Sequence, residues 1–106
     1  MKIFVDDVRK APDGYVWCKS VNEAIDTLKF CLYGYEPIRI EVLDLDHDSG
    51  DYYKYGGDYI RILDWIEQEE YETGNKLNIP IHIHSMNPIG IENIRRIIHT
   101  NGWIEV

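Results

Sequence analysis

Three short groups of polar residues carry the chemistry available to this chain. Asp6 and Asp7 follow the apolar run Ile3-Phe4-Val5, with Arg9 two residues on. Asp46, His47 and Asp48 follow a second apolar stretch, and His82, His84, Ser85 and Asn87 end a third. These groups hold three of the four histidines of the chain. Carboxylates that converge repel one another unless they are protonated or bridged by a cation. Oxygen donors such as Asp6, Asp7, Asp46 and Asp48 suit Mg²⁺ or Mn²⁺, ahead of Zn²⁺, and added imidazoles favour Mn²⁺ or Zn²⁺. Imidazole titrates near neutral pH, so His82 and His84, beside Asp46, can serve as ligands or as general acid and base. A guanidinium forks onto phosphoryl oxygens, which gives Arg9 a role, and Ser85, Asn87 and His47 offer further hydrogen bonds to the same group. Together these groups read as an acidic site bridged by a divalent cation, with a clamp for a bound phosphate.

Each group also has a structural reading. Asp-Asp after a strand is a common turn or cap signal. His82 and His84 could be two hydrogen-bonded sheet histidines, and Arg9 could fasten a loop.

The elements that must position these groups follow from apolar periodicity. Residues 3–5 and 15–18 read as short strands, the first buried on both faces. Ser20 and Glu23 form a capping box for a helix whose stripe is Val21, Ala24, Ile25, Leu28, Cys31 and Leu32. A third strand spans 38–45 and a helix 58–69, with Tyr59, Ile62, Leu63 and Ile66 on one face. A fourth strand covers 79–83. Asn87-Pro88 opens the next helix, Ile91, Ile94, Ile97 and Ile98 continue it, and Gly102 suits its left-handed end. Residues 103–106 read as a fifth strand, and Trp17, Trp65 and Trp103 as core packing. Residues 51–58, with Tyr52, Tyr53 and Tyr55, read as a loop.

Strands alternating with helices predict a parallel sheet with right-handed crossovers. The expectation is a flavodoxin-like or receiver-like three-layer α/β sandwich, five parallel strands in the order 2-1-3-4-5. Its first helix is reduced, because residues 8–14 are too short and polar for a crossover helix, and its last helix is absent. In such sheets ligands sit outside the carboxyl ends of the strands, and all three polar groups fall there. Along a strand, residues i and i+2 share a face, which aligns Asp44, Asp46 and Asp48, and separately His82 and His84.

Composition bounds the rest. A length of 106 residues fits a single domain over 1–106. The formal charge of −8 argues against a protein that coats bulk nucleic acid, which needs a positive surface. No apolar stretch is long enough to span a membrane, and the acidic start does not read as a secretory signal. Cys18 and Cys31 form neither a disulfide framework nor a spaced zinc site, so the expectation is a cytoplasmic protein with two buried thiols.

Asp6-Asp7-x-Arg9-x-x-Pro12, Leu45-Asp46-His47-Asp48 and His82-Ile83-His84-Ser85-x-Asn87-Pro88, in this order, resemble the cyclic-phosphate processing receiver domains. These are divergent relatives of the response-regulator receiver fold. The resemblance implies a metal-dependent phosphoesterase acting on a cyclic phosphate or cyclic nucleotide, including an RNA 2′,3′-cyclic phosphate end. Signalling receivers share the acidic pair, the aspartate after the third strand and a hydroxyl after the fourth, matching Asp6-Asp7, Asp46 and Ser85. They also carry a lysine after the fifth strand, which this sequence lacks, so phosphorelay is disfavoured. The alternative is a non-catalytic module that binds a cyclic nucleotide or phosphate, or a protein partner.

Overall fold

The computed structural model describes residues 1–46, 59–84 and 88–106. His47, Asp48, Ser85, Asn87 and the tyrosine-rich loop lie outside the described residues. Four apolar runs become strands: β1 (Lys2–Val5), β2 (Tyr15–Cys18), β3 (Val42–Leu45) and β4 (Ile81–Ile83). Three amphipathic segments become helices: α1 (Val21–Tyr33), α2 (Ile60–Thr73) and α3 (Pro88–Thr100). All pairings are parallel and the order is β2-β1-β3-β4.

The ends of the helices have local causes. The Ser20 hydroxyl accepts from the Glu23 N–H at 3.1 Å, while the Glu23 carboxylate reaches back to the Lys19 N–H at 2.6 Å. This is a capping box displaced by one residue. At the far end of α3, Gly102 adopts φ 69°. Its N–H donates to His99 O at 3.1 Å and that of Trp103 to Ile98 O at 2.9 Å, which together form a Schellman motif.

Two expectations are corrected. The fifth strand is reduced, among the described residues, to one parallel bridge between Ile81 and Glu105. β4 is only three residues long, so it offers little ladder for a neighbour to extend. The Ile81 N–H donates to Ile104 O and the Val106 N–H to Ile81 O, both at 2.9 Å, which places this segment at the expected edge without a full strand. The third layer is also missing among the described residues. Ile3, Val5, Leu43, Leu45 and Ile81 share a single core with the buried stripes of all three helices. By the two-residue alternation, Lys2, Phe4, Tyr15, Trp17, Asp44 and His82 face the other way. No described helix covers that face. Trp65 and Trp103 pack against the core, whereas Trp17 stands on the uncovered side.

β1 and β2 are joined across residues 6–14 without a helix. No helix in the described structure is long and apolar enough to cross a membrane.

Candidate metal centre at the sheet rim

Parallel strands in register bring the residues just beyond their ends together. Val5 is level with Leu45, and Leu45 with Ile83. The ladder continues one step, with the Asp46 N–H on Val5 O at 3.1 Å and the His84 N–H on Leu45 O at 3.0 Å. Asp6, Asp46 and His84 therefore meet at one rim, where one potential ligand atom from each lies within 4.8 Å of the others.

Asp6 is buried and its two oxygens do different work. Oδ1 accepts the backbone N–H groups of Val8 and Arg9, both at 2.8 Å, and so turns the chain where a crossover helix would begin. Oδ2 accepts from His84 Nε2 at 3.1 Å. The other ring nitrogen, Nδ1, donates to Asp44 Oδ1 through a short hydrogen bond. The imidazole also stacks on Phe4, with centroids 4.3 Å apart and planes 5° from parallel.

Burial pulls the His84 pKa down, but the hydrogen bonds to Asp44 and Asp6 and the charges of Asp44 and Asp46 outweigh it. The net result is a pKa above the usual histidine value. In the absence of a metal, the imidazolium is the cation that reconciles these carboxylates. With a metal bound, the same geometry has another use. Asp6, Asp46 and Nε2 offer a mixed oxygen and nitrogen donor set, while Asp44 on Nδ1 fixes the ring, as carboxylates commonly do behind ligating histidines. The donors present thus fit a divalent ion.

The remaining sequence-predicted residues lie at varied distances from this cluster. Asp7, half-buried, is not part of it; its carboxylate accepts from the Tyr59 hydroxyl at 3.4 Å. Asp7 also borders a cavity of about 350 Å³ with Lys19, Ser20 and Glu23. His82 is exposed on the same sheet face, and its Nδ1 lies 2.8 Å from Val106 O. A carbonyl only accepts, so Nδ1 carries the hydrogen and a neutral ring has its lone pair on Nε2. Arg9 is exposed, its backbone anchored on Asp6 next to the rim.

Sequence reasoning misses Asp44 as a member of the site. Its signal is present: a carboxylate inside the apolar run Val42-Leu43-Asp44-Leu45 is costly to bury without a partner. Trp17 is likewise expected in the core, yet its indole N–H donates to Asp6 O at 2.7 Å.

The family model of the cyclic-phosphate processing receiver domain matches residues 1–100. Comparison with curated proteins and with solved structures gave no match.

Proposed function

The chain belongs to the cyclic-phosphate processing receiver family, and from that premise we propose that it is a metal-dependent phosphoesterase that opens a cyclic phosphate or cyclic nucleotide. The observation that carries this reading is the meeting of Asp6, Asp46 and His84 donors within 4.8 Å. They would hold Mn²⁺ or Mg²⁺, the imidazole favouring Mn²⁺. A bound ion of this kind withdraws charge from a phosphoryl oxygen and makes water a better nucleophile.

The protein's own groups supply the rest. Asp44 holds the His84 ring in one orientation and strengthens Nε2 as a ligand. Asp6 Oδ1 holds the turn through the N–H groups of Val8 and Arg9, and the Arg9 guanidinium is the group assigned to a phosphoryl oxygen. Hydrolysis adds water across one P–O ester bond: oxygen joins phosphorus, the ring oxygen departs, and one proton moves to it. His82, with a basic Nε2 on the same face, is the group assigned to carry that proton.

A second reading has its own support. Both nitrogens of His84 are already satisfied by carboxylates, an arrangement that can persist without turnover. In that case the domain would bind its ligand and release it unchanged.

One assay separates the two. Nucleoside 2′,3′-cyclic and 3′,5′-cyclic phosphates are incubated with the protein in Mn²⁺ or Mg²⁺. The products are then read by chromatography. The enzyme reading expects conversion in excess over protein, lost in Asp46→Asn and strongly reduced in His82→Gln. Stoichiometric binding with intact ligand recovered on denaturation, for every metal and substrate, would overturn it in favour of the module.

A further inference from the structure

We propose that Trp17 is a stacking platform for a nucleobase, so that the molecule recognised at the rim is a nucleotide and not a base-free cyclic phosphate. This rests on the rim reading above and narrows its substrate class.

Trp17 faces the side of the sheet that no described helix covers, level with Phe4 on the adjacent strand. Its indole N–H is fixed on the backbone oxygen of Asp6, whose carboxylate belongs to the rim. Trp17 therefore stands on the strand next to the one that delivers Asp6, their backbones about 4.8 Å apart. Phe4 cannot serve, since it is buried under His84 and the edge of Tyr15. The half-buried Trp17 ring is covered on its face by the exposed Lys19, with the ammonium 4.4 Å from the centroid. An exposed cation–π contact is weaker than a stacked base, and a hydrated lysine is easily displaced. A phosphate held through a cation at Asp6 and Asp46 would leave the attached base beside this aromatic face. Base faces stack regardless of sequence, so the platform selects for a nucleoside without choosing among bases.

The test compares two ligands by calorimetry in Mn²⁺, with every protein carrying His82→Gln so that turnover does not obscure binding. One is adenosine 2′,3′-cyclic phosphate and the other is methyl riboside 2′,3′-cyclic phosphate, which has no base. The expected ratio of affinities is about tenfold or more in favour of the nucleotide. Trp17→Leu and Trp17→Phe both lose the N–H donor, but only the phenylalanine keeps a π face. The ratio should collapse to within about twofold of unity in the leucine variant and persist in the phenylalanine variant. A collapse in both variants would assign the effect to the Asp6 hydrogen bond and overturn the platform. Equal affinities with Trp17 in place would overturn the platform while leaving the rim reading intact. Binding of neither ligand would overturn both. A short oligoribonucleotide ending in the same cyclic phosphate distinguishes a free nucleotide from an RNA terminus, and preferential binding of either over the base-free ligand supports the proposal.

Discussion

Replacing Asp44 by asparagine tests the charge arrangement behind the rim, at the Nδ1 side of His84. Asp44 is 8% exposed and holds the Nδ1 hydrogen of His84. A hydrogen bond to a charged group contributes about 1.5–3 kcal/mol, and breaking a buried pair outright costs about 3–5 kcal/mol. In Asp44→Asn the amide oxygen can still accept from Nδ1, and Asp6 still holds Nε2, so the lower end applies, about 1.5–2.5 kcal/mol at about pH 6. The folded-state pKa of His84 is raised. Its contribution is therefore complete below the unfolded value of about 6.5 and fades as pH climbs through the folded value. At a pH well above the folded value the pair is an ordinary hydrogen bond to a neutral ring, and the same substitution should cost about 0.5–1.5 kcal/mol. Urea unfolding of both proteins at the two pH values, in chelator, measures the difference. An equal cost at both values, or none at about pH 6, would refute the view that a charged imidazole neutralises this rim.

Other expectations follow from the same structure. A metal at Asp6, Asp46 and His84 must displace the proton on Nε2, so the rise in melting temperature at fixed Mn²⁺ should grow from about pH 6 to about pH 8. A pH-independent rise, or one that survives Asp6→Asn with Asp46→Asn, places the ion elsewhere. Gly102→Ala should cost about 1–2 kcal/mol in urea unfolding, because φ is 69° and the new methyl would meet nothing within 4 Å, leaving backbone strain alone. Ser20→Ala should cost about 1 kcal/mol through the lost cap, with Ser20→Asp restoring most of it.

The parallel order of the sheet, the start of α1 and the end of α3 were legible because they depend on local signals, whereas α2 runs on to Thr73, past the expected residue 69. Short β-branched runs, Ser20 with Glu23, and Gly102 each act within a few residues. The rim was legible in part, since strand ends predict where polar groups meet. Which of them meet depends on register, a long-range property. Asp6 and Asp46 fall in step with His84, whereas Asp7, one residue further, turns to Tyr59. The uncovered face was hidden for a different reason. Phe4 and Trp17 look like core residues by type, and with no crossover helix between β1 and β2 no described helix lies over Trp17. The fifth strand failed because a bridge and a strand share the same composition and differ only in how much partner is available.

The two oxygens of Asp6 link matters that are usually separate. One shapes the turn through Val8 and Arg9, and the other faces His84. Any ligand that draws charge from Oδ2 also weakens Oδ1 as an acceptor, so occupancy of the rim and order in the turn form one equilibrium. The amides of Val8 and Arg9 become built-in gauges of that equilibrium. Their exchange with solvent and their resonance positions should register what the rim holds, without a label and without following turnover.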